Sequence, residues 1–211
     1  MGASDSPVSD IGPTKLCFVT IGATASFSAL IQAVLDPAFL HALAAHGYTD
    51  MLVQYGQDGE TLFNEAVERL AVAGGNSNIK LRGFALDLTG VAGHMRRVQA
   101  CDTSSPPSME GVVLSHAGSG TILDALRLGV PLIVVPNPSL LDNHQVDLAE
   151  ALAEQEYVVH GRLSDLPAAL ADAEVLRKRQ RDWPPPNSGV HRQAPRMGLA
   201  GILDDEMGWL D

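Results

Sequence analysis

Six short apolar segments, rich in β-branched residues, alternate along the chain with longer segments whose apolar residues recur every three or four positions. The first pattern predicts strands near residues 15–21, 50–55, 79–84, 111–115, 131–136 and 156–160. The second predicts helices near residues 26–46, interrupted at Asp36-Pro37, and near 59–72, 88–100, 120–128, 143–155 and 164–181. This alternation predicts an α/β fold with a doubly wound, Rossmann-like parallel sheet.

The two ends of the chain depart from this pattern. Residues 1–14 are rich in Ser, Pro, Gly and Asp, which predicts a flexible N-terminal tail. Three successive prolines after Trp183 cannot continue a helix, so the domain is expected to cover residues 15–182. Residues 183–211 are then a proline-rich linker and a short C-terminal helix, because apolar spacing returns over 197–210. This helix is expected to dock on this chain or on another.

Composition limits the classes of partner. The 211 residues suffice for one domain with extensions, and their formal net charge of -11 argues against nucleic acid, whose binding needs extended basic surface. The two cysteines, Cys17 and Cys101, lack a metal-binding spacing, and no secretory signal is present, which predicts a reducing compartment. No apolar stretch approaches the roughly 20 residues needed to cross a bilayer. A lipid substrate would therefore require another protein to hold this chain at the membrane.

The segment from Leu114 to Gln145 carries the strongest chemical signal. A short apolar run ends at Ser115, residues 116–120 (HAGSG) form a glycine loop, and helical spacing follows. In a strand–loop–helix unit, the free N–H groups of the first helical turn point toward the end of the strand, where the helix dipole also favours negative charge. This arrangement would suit a diphosphate, although many glycine loops in α/β proteins bind no ligand.

Known glycine motifs exclude several functions for this loop. The dinucleotide pattern fails because Leu123 stands where a third glycine belongs, which disfavours NAD. The loop lacks the Gly-Lys-Ser/Thr of a P-loop. It also lacks the serine-hydrolase elbow, since Ala117 and Thr121 replace the required glycines around Ser119. Kinase and serine-hydrolase functions are therefore not supported.

Two polar features follow the glycine loop. Asp124 is a candidate ligand for ribose, whose two neighbouring hydroxyls can both donate to one carboxylate, although it could instead compensate the dipole in the first turn of the helix. Asn143, His144 and Gln145 open the next predicted helix and could bind the hydroxyl and N-acetyl groups of a sugar. In the alternative interpretation, Asp142 caps that helix and the three residues are merely solvated.

The chain resembles a known family through residues 115–124 (SHAGSGTILD), 129–136 (GVPLIVVP) and 140–145 (LLDNHQ), and through its opening 18–24 (FVTIGAT) with Phe27. It is similar to the catalytic subunit of the eukaryotic UDP-N-acetylglucosamine (UDP-GlcNAc) transferase that adds the second GlcNAc of the dolichol-linked precursor. The resemblance covers roughly residues 15–160. It extends more distantly to the C-terminal half of the bacterial peptidoglycan N-acetylglucosaminyltransferase, the C-terminal-domain type of glycosyltransferase family 28.

The resemblance implies a set of residues that bind UDP-GlcNAc. The loop after the first strand would approach the diphosphate together with the 116–120 loop, Phe84 would lie near the uracil, Asp124 would bind the ribose, and the start of the 143–155 helix would hold the sugar. The residues implied are Gly22, Ala23, Thr24, Ser26, Phe84, His116, Ala117, Gly118, Ser119, Gly120, Asp124, Asn143, His144 and Gln145.

The resemblance also implies an activity and a partner. Two-lobed (GT-B) glycosyltransferases bind the sugar donor and the acceptor on separate Rossmann-like halves, and this chain has one half only. The expected reaction moves GlcNAc from UDP-GlcNAc to GlcNAc-diphosphodolichol with inversion, in a heterodimer with a membrane-anchored, acceptor-binding subunit. The expected location is the cytoplasm and the cytosolic face of the endoplasmic reticulum. No cofactor or metal is expected, because the sequence contains no Asp-x-Asp pair.

The sequence leaves the catalytic base open. His116 and His144 are the candidates within this chain, and a base supplied by the partner is the preferred interpretation. A protein of another class, a non-catalytic regulatory subunit that binds nucleotide sugars, would share every residue of the binding site. Transferase activity reconstituted with the partner would distinguish the two.

Overall fold

The computed structural model describes residues 12–23, 25–72, 78–139 and 144–182. Its strands form one six-stranded, all-parallel sheet in the order β3-β2-β1-β4-β5-β6. This topology confirms the predicted doubly wound, Rossmann-like fold. The strands are β1 Thr14–Thr20, β2 Asp50–Gln54, β3 Lys80–Phe84, β4 Ser108–Ser115, β5 Leu132–Val134 and β6 Val159–His160.

Helices cover both faces of the sheet and bury its apolar side chains. They are α1 Ser28–Val34, α2 Pro37–Ala45, α3 Glu60–Val72, α4 Ala92–Arg96, α5 Ser119–Leu128, α6 His144–Glu154 and α7 Leu166–Asp182, the last preceded by a 3-10 turn at Leu163–Asp165. One core cluster lies between the sheet and α1, α2, α3 and α7, and the other lies between the sheet and α4, α5 and α6. Both faces of the central strands are therefore buried, as their continuous apolar sequence requires.

The predicted interruption of the first helix is present at Asp36-Pro37. Proline occupies the first turn of α2, where its missing N–H costs no hydrogen bond. The side chain of Asp36 accepts a hydrogen bond from the Ala38 backbone N–H at 2.8 Å and so caps α2. Two helices thus replace the single long one that apolar spacing alone would give.

Three sequence-based boundaries differ from the structure. The predicted helix 88–100 is reduced to α4, since glycines at 90 and 93 weaken its first half. The predicted strand 156–160 starts only at Val159, because Glu156 adopts a left-handed conformation with φ 59° after α6. The predicted N-terminal tail ends before Thr14, which already belongs to β1. Residues 1–11 and the predicted linker and C-terminal helix at 183–211 lie outside the described residues.

The Ser- and Pro-rich stretch from Cys101 to Gly111, whose composition predicts a long mobile loop, contains several hydrogen bonds. Cys101 and Ser108 pair in antiparallel fashion, with N···O distances of 2.9 and 3.0 Å. The hydroxyl of Ser104 donates to the carbonyl of Cys101 at 2.9 Å. Strand β4 starts at Ser108, inside the stretch. Composition alone does not report these pairings, and the mobility of the stretch stays a prediction.

A buried charged cluster joins the first strand to the last helix. The ammonium group of Lys15 in β1 lies 2.9 Å from Oε1 of Glu174 in α7, and the Tyr48 hydroxyl donates to the same oxygen at 2.8 Å. Arg177 contacts the other carboxylate oxygen of Glu174 and donates to the carbonyl of Glu110 at 2.7 Å. The lysine and glutamate side chains are only 3% and 11% exposed, so each charge depends on its partner.

Among the described residues, no single helix is long and apolar enough to span a membrane. Of the described helices, only α1 and α2 taken together, with a bend of 52° between them, have the length and the apolar composition of a membrane span.

Candidate UDP-sugar site

The two glycine loops meet at the carboxyl ends of adjacent strands. Thr20, the last residue of β1, pairs in register with Ser115, the last residue of β4, and the backbone N–H of His116 donates to the carbonyl of Thr20 at 3.1 Å. The chain order reverses direction between β1 and β4, since β1 is flanked by β2 on one side and β4 on the other. In doubly wound sheets, a crevice outside this switch point is the usual ligand site.

The imidazole of His116 lies between the backbones of the two loops. A Cβ atom added to Gly22 would lie 2.4 Å from Cε1 of His116, and one added to Gly118 would lie 2.3 Å from its Nε2. Gly22 also adopts φ +80°, a conformation that other residues rarely tolerate. A side chain at either position would therefore have to displace the ring, which packs against both loops.

Burial keeps the His116 ring uncharged. Loss of solvation lowers the pKa of His116 below its ordinary value, and the Thr20 backbone only partly opposes this effect. Its Nδ1 atom is buried and has no hydrogen-bond partner in the described part of the protein. At neutral pH the ring is thus a neutral packing element beside the crevice.

Helix α5 begins at Ser119, directly after the glycine loop that follows the carboxyl end of β4. Gly118 precedes the helix and no side chain caps it in the structure, while a Cβ on Gly120 would meet no atom within 4 Å. The first backbone N–H groups of a helix have no partners within it, and the dipole places partial positive charge there. This end of α5 can accept an anion such as a phosphate group.

Asp124 lies in the second turn of α5. Its side chain is 40% exposed, and its carboxylate lies 3.7 Å from Nη1 of Arg127. The first turn of α5 contains no acidic residue. Asp124 is therefore not a first-turn dipole compensator, and it remains available for a polar ligand.

Asn137 connects the remaining loops of this edge. This residue is buried (6% exposed), and its Nδ2 group lies 3.4 Å from the carbonyl oxygen of Ser26. Its backbone N–H donates to Oε1 of Gln145 at 3.1 Å. Asn137 thereby brings Ser26 and Gln145 to the same site. Asn137 is not among the site residues predicted from the sequence. Its position between two prolines, just after a buried strand, could have indicated a structural role at this edge.

A small cleft of about 50 Å³ lies beside the first loop and is lined by residues 21–23, 25, 26 and 56–58. The hydroxyl of Ser26 donates to a carboxylate oxygen of Asp58 at 2.7 Å across this cleft. Ser26 is thus held by a loop that follows β2, so the ends of β1, β2, β4 and β5 all contribute to one edge.

Phe84 lies at the same edge but packs against other rings. Its ring is stacked on that of His94, with 4.5 Å between centroids, and lies parallel to Phe18 at 6.4 Å. Nε2 of His94 lies 2.9 Å from a carboxylate oxygen of Asp87. Phe84 is half-buried against the second core cluster. Its expected proximity to uracil stays a prediction.

The other expected site residues are only partly described. Ala23 is exposed in the first loop, Ala117 is buried, and Ser119 begins α5. His144 begins α6, whereas Thr24 and Asn143 lie outside the described residues. Within the described ranges, no group of three or more His, Cys, Asp or Glu side chains is arranged to hold a metal ion.

Comparison with known proteins identifies the family. A family model described as the glycosyltransferase family 28 C-terminal domain matches residues 108–182. UDP-N-acetylglucosamine transferase subunit ALG13 of Eremothecium gossypii is 35% identical over 206 residues, which cover 92% of this chain and 93% of that protein. The protein of the same name from Saccharomyces cerevisiae is 33% identical over 153 residues, covering 68% and 76% respectively. The chain belongs to the ALG13 family.

Solved structures agree with this assignment. The NMR solution structure of ALG13 superposes with a TM-score of 0.54 at 28% identity, covering 81% of this chain and 87% of that one. The crystal structure of Acinetobacter baumannii MurG superposes with a TM-score of 0.53 over 81% of this chain. This chain spans 43% of the MurG structure, and the identity of 17% supports the fold alone. Membership of the ALG13 family and a GT-B-like, Rossmann-type fold are thus both established.

Proposed function

We propose that this chain is the donor-binding catalytic subunit of a heteromeric, inverting glycosyltransferase that moves GlcNAc from UDP-GlcNAc to GlcNAc-diphosphodolichol. The observation that carries the proposal is the meeting of the two glycine loops at the switch point, where His116 packs against Gly22 and Gly118 beside the N-terminus of α5. The names of the ALG13 relatives support UDP-GlcNAc as the donor. The acceptor follows from the resemblance seen in the sequence.

The nucleotide would lie along the carboxyl edge of the sheet. Its diphosphate would face the N-terminus of α5 and the first glycine loop, and its ribose hydroxyls would donate to Asp124. Phe84 and the residues after it would border the uracil. The GlcNAc would reach the start of α6, where Gln145 and the adjoining residues Asn143 and His144 would bind its polar groups.

The chemistry needs stabilisation of the leaving UDP and a base for the acceptor. The acceptor hydroxyl oxygen forms a bond to the anomeric carbon as the bond from that carbon to the UDP oxygen breaks, and the base takes the hydroxyl proton. Oriented N–H groups at α5 would stabilise the charge that develops on the diphosphate without requiring a metal. Because His116 is packed between the two loops, it would organise the loops and would not act as the base. The partner, or His144, would supply the base.

A membrane-anchored partner would bind the acceptor. The word subunit in the names of the relatives supports a partner of some kind, and a GT-B site needs a second half facing the crevice. Such a partner would hold the chain at the cytosolic face of the endoplasmic reticulum. The segment 183–211 would contribute to this docking through its apolar residues.

The test compares the purified chain with the chain reconstituted with its membrane partner. We expect calorimetry to detect UDP binding by the chain alone, and transfer of radiolabelled GlcNAc to a short-chain GlcNAc-diphospholipid only with the partner. Rapid turnover by the isolated chain would contradict the split-enzyme proposal. Full activity of the partner without this chain would instead support the alternative, a non-catalytic nucleotide-sugar-binding regulatory subunit.

A further inference from the structure

A second cleft lies at the opposite edge of the sheet, where the strands begin. It has a volume of about 330 Å³ and is formed by the first residues of β1, β2 and β4, by β3, and by the segment that leads from α4 into β4. Its lining includes Arg82, Arg96, Arg97, Asp50 and Cys101. None of these residues belongs to the UDP-sugar site.

Positive charge is concentrated in this cleft. Three arginines line it, and Asp50 is the only acidic residue among its described lining residues, in a chain whose formal net charge is -11. Both oxygens of that carboxylate are already engaged, one by Arg82 at 2.8 Å and the other by the Thr49 hydroxyl at 2.7 Å. Within the described ranges, neither Arg96 nor Arg97 forms an ion pair. The cleft is therefore lined by two arginines whose charges no described ion pair balances.

Hydrogen bonds hold the segment that forms one wall of the cleft. The Cys101–Ser108 pairing and the Ser104 hydroxyl hold the 101–108 segment, as described above. The Gln99 side chain donates to the carbonyl of Leu128 at 2.8 Å, and the backbone N–H of Thr14 donates to the carbonyl of Pro107 at 2.9 Å. These bonds fix the wall on one side to α5 and on the other to β1. A pre-organised wall lowers the cost of ordering the site when a ligand binds.

We propose that this cleft binds a phosphate group, carried either by a small soluble anion or by a phospholipid headgroup. Guanidinium groups match phosphate oxygens in a bidentate fashion, and a concave surface of one charge sign concentrates the field on an anion. The volume exceeds that of a phosphate ion alone, which leaves room for an attached group. The cleft lies at the amino ends of the strands, so it is separate from the proposed UDP-sugar site at their carboxyl ends.

The two cysteines provide a direct readout of occupancy. Cys101 lines the cleft and is exposed, and its hydrogen bond with the Thr103 hydroxyl lowers the pKa of its thiol. Cys17 is fully buried, and burial raises the pKa of its thiol to about 12. Iodoacetamide should therefore alkylate Cys101 selectively. The rate of alkylation is measured on the full chain with saturating UDP, while inorganic phosphate is titrated.

We expect phosphate to slow alkylation of Cys101 in the wild-type chain and in Arg69→Ala, a matched control that removes an exposed arginine on the opposite face. In the double variant Arg96→Ala/Arg97→Ala, phosphate affinity should fall at least about tenfold. The double variant Arg96→Lys/Arg97→Lys keeps both charges but loses the bidentate guanidinium geometry. Its phosphate affinity should lie between those of the wild type and the alanine double variant. Melting curves check that each variant is folded.

A second arm identifies the source of the phosphate. The same proteins are sedimented with phosphatidylcholine vesicles that contain or lack phosphatidic acid. Sedimentation that needs both phosphatidic acid and the arginine pair would assign a lipid headgroup, whereas protection by inorganic phosphate alone would assign a soluble anion. The proposal is overturned if neither probe binds, or if the alanine double variant binds as well as the wild type.

Discussion

The backbone N–H of Asn137 donates a hydrogen bond to Oε1 of Gln145, with 3.1 Å between the two atoms. This contact fixes the orientation of the Gln145 amide, because its oxygen is turned toward the protein. Its NH₂ group is then the part that can donate to a ligand. Gln145, which the sequence indicates as a sugar ligand, would therefore act as a hydrogen-bond donor to the sugar. This role can be tested by substitution.

Gln145→Glu should keep the bond to Asn137 and lose the NH₂ donors. We expect KM for UDP-GlcNAc to rise about tenfold in the reconstituted enzyme, because hydrogen bonds to the sugar are lost. The affinity for UDP, which lacks the sugar, should change by less than about twofold. Gln155→Glu, the same substitution beyond the end of α6, is the control. An unchanged KM would mean that Gln145 serves only to hold the Asn137 loop.

Gly118→Ala should destabilise the domain, because the added methyl group would overlap the His116 ring. Overpacking of this kind costs about 1–3 kcal/mol of unfolding free energy. Gly120→Ala is the matched control, since open space surrounds that position. Chemical denaturation of Gly118→Ala, His116→Ala and the double variant forms a mutant cycle. The loss of unfolding free energy caused by Gly118→Ala should largely disappear in the His116→Ala background. A loss that persists there would mean that the added methyl group overlaps something other than the His116 ring.

Asp124→Ala should weaken UDP binding without unfolding the protein. Loss of a charge-assisted hydrogen bond to ribose costs roughly 1.5–3 kcal/mol, so the Kd should rise on the order of tenfold to a hundredfold by calorimetry. Arg127→Ala controls for loss of the exposed ion pair, which contributes at most about 1 kcal/mol to stability. A lower melting temperature with unchanged UDP affinity would instead assign Asp124 to helix stability.

Mild acid should destabilise the domain through His116. Its pKa is lowered in the folded state, so the unfolded chain binds a proton that the folded chain resists. The free energy of unfolding should therefore fall as the pH drops below about 6.5. His116→Gln should show a smaller fall in urea denaturation between neutral and mildly acidic pH. His41→Gln, at an exposed position of α2, should keep the wild-type slope, and identical slopes for all three proteins would remove His116 as the cause.

The alternation of strands and helices was enough to predict the fold. Continuous apolar runs such as Ile133 and its neighbours identify strands buried on both faces, and parallel topology follows from the helices between them. The ends of elements were less predictable, since they depend on local backbone geometry such as the positive φ of Glu156. The hydrogen-bonded wall around Cys101 was missed because Ser and Pro are common in both loose and ordered loops.

The candidate site was only partly predictable. Glycines at 22 and 118 could be selected as loop residues, but their shared contact with His116 joins segments that are distant in sequence and appears only in the folded chain. Asn137 was missed for the same reason, because its partners Ser26 and Gln145 lie on different loops. Residue types indicate which chemistry is available, whereas long-range packing decides which groups meet.

Glu174→Gln should strongly destabilise the domain while leaving the UDP-sugar crevice intact. Burial alone would raise the pKa of Glu174, but hydrogen bonds from Lys15 and Tyr48 and the charges of Lys15 and Arg177 outweigh it and lower the pKa. Removing one partner of a buried ion pair costs about 3–5 kcal/mol, which denaturant titration can measure. UDP affinity, determined at a temperature where the variant is folded, should match the wild type. Glu150→Gln, on the exposed side of α6, should cost less than about 1 kcal/mol.

The pairing of Lys15 with Glu174 also sets an order for biosynthesis. The two residues are 159 positions apart, so the ribosome completes the first strand long before it makes the carboxylate that balances the lysine. Until α7 emerges, Lys15 has the carbonyl of His46 and the ring of Tyr48 as partners but no carboxylate, so its charge is only partly balanced and a solvated first strand is favoured. The central strand of the sheet can therefore take its final position only when synthesis of the domain is nearly complete. We therefore expect a nascent chain that stops before α7 to expose this strand to chaperones and proteases.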